Sequence, residues 1–477
     1  MRTSYAAHMA QTYNGLVSTL TALGRTEEAF NFSERGRARA FLDMLGNRVD
    51  LSRGRDSSLI KEEEYLKRKI GELALREQEV GGDVSGELEE AKKQYALFLE
   101  KLRKSDLEHA SLVSVEPMTL TDLQAMLRPG QTVIEFHVLN NATIAWLITR
   151  DHIQSSVIKQ SRKALAAKVS DYRESIESIT TDERSIRIKS TEKPSSEAKT
   201  ETYLSGAKVE KRARELYLTL LGGFKIDPGQ ELIIVPHDIL HYLPFHSLVL
   251  PDGSFLLEKN PLSYLSSASL MKFTAEKRKK AGSKLLAFGN PDLGNPLYDL
   301  KYAEKEVNNI KTIYPESEIY LRKEATRTRA IKLSGNFDII HFATHGEYDD
   351  NDPLASALRL SPAGADDGRL TAEDIFKMKI GASLVVLSAC ETALGKINRG
   401  DEVIGFTRAI IYAGAPSVIT TLWQVSDVAT YIMMQDFYKN LKSMRKADAL
   451  RTAQLDLMKN YRHPFFWGAF VLTGDPE

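Results

Sequence analysis

From Lys284 to the end of the chain, short runs of Leu, Ile, Val and Phe alternate with segments of helical period, and nothing else constrains the fold as tightly. The apolar runs are KLLAFGNP, EIYL, FDIIHFATHG, ALRLSP, SLVVLSAC, SVITTLW and FFWGAFVLTG. Between them lie LKYAEKEVNNIKTIY, ATRTRAIKL, TAEDIFKM, DEVIGFTRAIIYAG and two helical stretches between Asp427 and Tyr461. Strands without polar alternation are buried on both faces, and helical crossovers join strands in parallel. Residues 281–477 are therefore expected to form an α/β unit, a mainly parallel sheet flanked by helices. In such a sheet the chemistry gathers at the carboxyl ends of the strands.

Upstream, residues 116–280 read as a second α/β unit. TVIEFHVLNNATIAWLITRDHIQSSVI carries β-branched and aromatic runs broken by Asn140-Asn141 and Arg150-Asp151, the pattern of a β-meander. A helix near 160–178 follows, then a polar stretch over 180–205 expected to be a mobile loop, a helix from Lys208 to Leu221 and a strand at ELIIVP. The run EKRKK at 276–280 has no aromatic neighbours to stack bases and is expected to be a solvated linker. Residues 51–115 form two charge-rich amphipathic segments around GGDVSG, a helical hairpin. Residues 1–50 form a helical pair turning at Gly24, with Ala6, Ala7, Ala10, Gly15 and Ala29 expected to allow close approach. The pair is similar to the last unit of a tetratricopeptide array.

Composition narrows the function classes. Hydrophobic residues make up 42% and charged residues 27%, enough for a sizeable core under a solvated surface. Lys plus Arg and Asp plus Glu both total 64, so no global field favours nucleic acid or anionic lipid. The opening residues lack an apolar core of signal-peptide length and no stretch approaches eighteen apolar residues, so the expected location is cytoplasmic and not in a membrane. The chain has one cysteine, Cys390, which rules out an internal disulfide and a thiolate-rich zinc site.

Two residues stand where a parallel sheet places chemistry. The run FDIIHFAT leads into His345-Gly346, and SLVVLSA leads into Cys390, 45 positions later. A thiol is a useful nucleophile as thiolate, and an imidazole beside it can take its proton and return it to a leaving amine. Gly346 has no side chain to shield its N–H, which with that of Cys390 could form an oxyanion hole. Taken singly, Cys390 reads as a buried small hydrophobe and His345 as a loop or cap residue. Their order, spacing and shared strand-end context turn the balance toward catalysis. His341, inside the strand, is expected to be a core histidine. Asp401 and Glu402 are expected to open a helix.

His345-Gly346 closing one strand and Ser388-Ala389-Cys390 closing another resembles the caspase and separase arrangement, in which the histidine precedes a cysteine motif by about 50 residues. SACETALG departs from the motif of caspases proper. The text LPFHSLVLPDG, HFATHGEY, LSACETALG, GDEVIGFTRAIIYAGAPSVITTLWQVSD and HPFFWGAFVLTG resembles the bacterial CHAT family, caspase-like domains that often follow tetratricopeptide repeats. The resemblance implies a cysteine endopeptidase that cuts a specific protein partner and needs no metal and no cofactor. It implies a degenerate caspase-like unit over 116–280 ahead of the peptidase unit. It also implies a regulatory protein partner on the N-terminal helices and a latent state released by that partner or by cleavage within 180–205. By likeness to caspases, SVITTLWQVSD would line the pocket that reads the residue before the cut, with Trp423, Gln424 and Asp427 as candidates. An accessible Asp427 would favour Arg or Lys, whereas Gln424 with apolar walls would favour Leu or Met; Asp427 could also simply cap the helix after Ser426. The competing functions are a catalytically silent scaffold that binds proteins and a thiol enzyme of another class, such as an acyltransferase.

Overall fold

The computed structural model of the protein describes residues 2–45, 117–179, 196–279, 282–347, 349, 352–388 and 401–477, with scattered positions between 61 and 98. Met1–Leu120 and Thr121–Glu477 are two compact units. In the first, helices Arg2–Ala22 and Thr26–Leu45 form a hairpin that turns at Gly24, whose φ of 71° suits glycine. Ala29 is fully buried, as the small-residue pattern predicts. Gly15 faces open space, and the close approach occurs instead at Gly36, where a Cβ would lie 3.3 Å from the Tyr13 side chain. Further along, Leu66 packs with Phe98 and Leu73 with Leu88 and Ala91, the cross-pairing an antiparallel hairpin requires. The rest of the expected hairpin at 51–115 lies outside the described residues.

The second unit is built on one sheet of eleven strands. In chain order these are β1 (Gln131–Val138), β2 (Thr143–Ile148), β3 (Ile153–Ile158), β4 (Glu231–Val235), β5 (Leu262–Tyr264), β6 (Leu285–Gly289), β7 (Glu318–Leu321), β8 (Ile339–Ala343), then β12 (Leu384–Leu387), β13 (Ser417–Thr421) and β14 (Phe470–Gly474). A small antiparallel sheet of β9 (Gly346–Glu347), β10 (Ala357–Arg359) and β11 (Arg369–Thr371) stands beside it. The large sheet runs β3-β2-β1-β4-β5-β14-β13-β12-β8-β6-β7. β1 to β3 form the expected meander, while β1, β4 and β5 are parallel. β13, β12, β8, β6 and β7 are parallel too, and most of these strands are buried on both faces, as continuous apolar runs demand.

β14 is the seam. It runs parallel to β5 and antiparallel to β13, so the parallel strands of 116–280 point opposite to those that follow. The expected α/β layers at 116–280 and 281–477 therefore share one hydrogen-bonded sheet. His246, from the LPFHSLVLPDG segment, braces the seam from a fully enclosed site: Tyr264 of β5 lies 2.9 Å from its Nδ1, and Nε2 donates to the Gly468 carbonyl at 2.8 Å. Burial pushes the imidazole down to about 4, against the opposing pull of the Gly468 carbonyl.

Two expectations change. The helix before β4 begins at Ser196, not Lys208, so residues 196–205 are helical and the rest of the 180–205 loop, through 195, lies outside the described residues. Glu, Ala and Lys after Pro194 favour helix over loop despite their polarity. The EKRKK run is no simple solvated linker, because Arg278 forks onto Asp475, 2% exposed, at 2.7 and 2.9 Å.

Two outcomes test the seam. Gly474, at φ 107°, could not carry a Cβ without placing it 2.0 Å from the Pro416 carbonyl oxygen. Gly474→Ala should cost about 1–3 kcal/mol, read as a lower thermal midpoint by circular dichroism. His246 is neutral in the fold and protonates more readily when unfolded, so its share of stability is present above pH 6.5 and is lost as pH falls toward 4. Thermal midpoints should fall across that window by an amount equivalent to roughly 3 kcal/mol, and a His246→Asn variant should lose this dependence.

Candidate active site

β8 and β12 are adjacent and parallel, and each β12 residue faces the β8 residue numbered 45 lower, from Leu384 opposite Ile339 to Leu387 opposite Phe342. The pairing runs past the strand end, where the Ser388 N–H donates to the Phe342 carbonyl at 2.9 Å. Thr344, His345 and Ser388 then line one side of a pocket at the carboxyl edge of the sheet. The end of β13 and the helix Asp427–Leu441 supply the other side through Thr421, Gln424, Val425, Asp427 and Thr430. Cys390 lies outside the described residues, as does the rest of 389–400.

His345 is half-buried and fixed at one nitrogen. Its Nε2 lies 2.9 Å from the backbone carbonyl of Tyr298, which stands in the short turn Pro296–Tyr298, and the Tyr298 ring meets the imidazole edge-on at 5.6 Å. A carbonyl can only accept, so Nε2 carries the proton and Nδ1 of a neutral ring is left as the proton acceptor. Gly346, the expected oxyanion-hole donor, opens β9, and the His345 carbonyl beside it accepts from the Arg359 N–H at 2.8 Å.

Of the residues expected to read the substrate, Gln424 and Asp427 are on the pocket wall and Trp423 is not. Trp423 is 1% exposed, with its indole N–H donated to the Phe465 carbonyl at 3.1 Å. Both residues lie in the irregular segment between β13 and the helix Asp427–Leu441, which turns the indole into the core and leaves its neighbour facing the cleft. Asp427 is the first residue of its helix, and Ser426 at the cap makes no side-chain capping bond. The Asp427 carboxyl keeps an open side to solvent, yet the surrounding protein raises its pKa and the nearby His345 charge partly offsets this. Helix position and pocket position thus coincide in one side chain. Asp401 opens the helix Asp401–Tyr412, as expected.

Behind the pocket lies a buried polar cluster that sequence reading missed. Glu306, 3% exposed, lines the pocket floor and accepts from the Ser388 hydroxyl. Its other neighbour is His341, whose Nε2 lies 2.9 Å from Glu306 Oε1 without hydrogen-bond alignment. His341 Nδ1 lies 2.9 Å from the Tyr438 hydroxyl. Burial, then the Glu306 charge, pushes the Tyr438 phenol well above its ordinary range. His341 is the core histidine expected, and Met433, Met434 and Phe437 around Tyr438 are fully buried core. The missed signal was Glu306 itself, a carboxylate on the same helical stripe as buried Ala303, Val307 and Ile310.

The sequence pattern of the CHAT domain matches residues 210–475, more than half of the chain. The chain belongs to the CHAT domain family. Curated relatives of this CHAT chain include the human tetratricopeptide repeat protein 28, 26% identical over 303 residues, and its mouse counterpart, 24% identical over 266 residues. These alignments cover 54% and 47% of the chain but only 12% and 10% of the relatives, so the chain spans about a tenth of their length. A chain of the crystallised separase–securin complex of Saccharomyces cerevisiae has the same caspase-like fold, with a TM-score of 0.51 at 10% identity. That superposition covers 96% of this chain and 37% of the other. Among the described residues no helix is long and apolar enough to cross a membrane.

Tyr438→Phe should leave His341 Nδ1 without its buried partner and cost about 1–3 kcal/mol by chemical denaturation, with the His341 ring signals shifted in NMR spectra.

Proposed function

We propose that this CHAT chain is a cysteine endopeptidase in which His345 and Cys390 form the catalytic dyad. One observation carries the reading: the pairing offset of 45 between β8 and β12 equals the separation of His345 from Cys390. A chain continuing in register past Ser388 would bring the thiol abreast of the imidazole. The orientation of His345, with Nδ1 left to accept a proton, supports the same assignment.

In this mechanism Nδ1 takes the thiol proton and the sulfur adds to the scissile carbonyl. The N–H groups of Gly346 and Cys390 receive the oxyanion. His345 then protonates the leaving amine, and a thioester remains. Water deprotonated by His345 attacks the thioester, releasing the acid and restoring the thiol. The substrate is a protein partner, and Asp427 beside the dyad favours Arg or Lys before the cut, because a guanidinium or ammonium gains a charge-assisted bond there. Gln424 lies alongside as a polar wall, and Trp423 supports that wall from the core. The helical pair at 1–50, which resembles a tetratricopeptide unit as the curated relatives' names do, is the proposed seat of the regulatory partner.

Peptide libraries with a single varied residue before the cut test the reading. Cleavage should follow Arg or Lys and disappear in Cys390→Ala and His345→Ala. Asp427→Asn should lower kcat/KM for basic peptides by about a hundredfold and leave neutral ones unchanged. Cleavage that survives Cys390→Ala overturns the peptidase assignment, and equal losses for basic and neutral peptides overturn the role of Asp427.

A further inference from the structure

Tyr298 holds His345 through its carbonyl, yet the residue is 51% exposed and Leu297 before it is 89% exposed. A turn that projects into solvent in this way has little core packing to fix it. What fixes it is polar. Asn290, the residue after β6, is 1% exposed, and its N–H donates to the carbonyl of Ala343 at the end of β8 at 3.0 Å. Its Oδ1 accepts from the Leu300 N–H at 2.8 Å, and its Nδ2 donates to Asp299 Oδ1 at 2.8 Å and to Glu304 Oε2 at 3.2 Å. Arg322, the residue after β7, donates its Nη1 to the same Asp299 oxygen. The Arg322 carbonyl is itself tied by the Ser361 hydroxyl at 2.6 Å, and Ser361 Oγ accepts from the Asp292 N–H at 2.8 Å.

Asp299 follows Tyr298 directly, so the clamp grips the peptide unit whose carbonyl meets His345. Asn290 at φ 45° and Arg322 at φ 50° are two of the three non-glycine residues held at left-handed φ among the described residues. Strained backbone of this kind persists where its surroundings over-determine it, and it clusters at functional sites. The bond from Asn290 and the charge of Arg322 also hold the Asp299 carboxyl below its usual range, despite its partial burial.

We infer that Asn290, Asp299 and Arg322 are positioning residues for His345: they fix the Tyr298 carbonyl, which pins the Nε2 proton and keeps Nδ1 directed at the thiol. The inference rests on the dyad assignment above. Loosening the clamp lets the imidazole exchange tautomers and rotate, which weakens the thiolate–imidazolium pair.

Because Cys390 is the chain's single cysteine, the rate of its alkylation by iodoacetamide against pH, measured on the full chain, reports this pair alone. Groups that face the pair or the clamp and titrate are Asp427 and Glu306 in the pocket, and Asp292, Lys301 and Glu304 around Asp299. Wild type should alkylate well below the ordinary thiol range of about 8.5, and His345→Ala should return to it. Asp299→Ala and Arg322→Ala should move the profile up by about one unit, which is about a tenfold loss of rate at pH 7. Asp299→Asn, which keeps the accepting oxygen, should restore most of it. Asn290→Gly tolerates the left-handed backbone and should match Asp299→Ala while remaining folded by circular dichroism. Clamp variants that stay folded and follow the wild-type profile, while His345→Ala departs from it, overturn the clamp alone. A wild-type profile identical to that of His345→Ala overturns the dyad and the clamp with it.

Discussion

The ladder between β8 and β12 carries the rest of this structure's chemistry. Parallel pairing spaces its hydrogen bonds evenly, so a register set in the buried part of two strands is transmitted to their ends. Here Val386 pairs with His341 and Leu387 with Phe342 in two strands buried on both faces, where a slip by one residue would exchange the side chains packed on either side. The offset of 45 is set by that buried ladder. Whatever follows Ser388 begins from a point fixed against Ala343, and whatever follows Ala343 begins from a point fixed against Ser388.

Around that ladder, positions of polar groups follow from where the packing leaves gaps. Glu306 reaches the pocket floor from a helix whose other inward residues are aliphatic, where it accepts from the Ser388 hydroxyl and lies beside His341. Tyr438 closes the same cluster from the helix Asp427–Leu441, whose first residue lies at the pocket mouth. A single helix thus contributes an acidic group at the opening and a phenol at the back. Movement of one end would be felt at the other, because the intervening residues Met433, Met434 and Phe437 are packed without exposure.

Much of this was legible in the chain. Continuous apolar runs located β6, β7, β8, β10, β12, β13 and β14, but His345-Gly346 does not close β8, which ends at Ala343, and Gly346 opens β9. Contacts that depend on which of two neighbours faces inward were not legible. Trp423 and Gln424 are adjacent in the irregular segment after β13, where no fixed period decides the facing, and the indole enters the core while the amide lines the pocket. Tyr298 was invisible because it acts through its backbone, which every residue possesses. Asn290 and Asp299 sat in AFGNPDLGNPLYDL, a stretch that reads as turns, and turn chemistry alone does not reveal that two turns and a strand end meet at one carboxylate. Ser196–Leu220 was misjudged at its start because polarity and disorder share a composition with solvent-exposed helix.

The reversal at β14 has a consequence for recognition. Strands β6, β8, β12 and β13 open toward one rim of the sheet, while β1, β4 and β5 open toward the opposite rim. A ligand laid along the first rim therefore meets strand tips on one half and strand beginnings on the other, and the groove of tips stops at the boundary between β13 and β14. The pocket lined by His345 and Asp427 thus sits on the one half of the sheet whose parallel strands end at that rim.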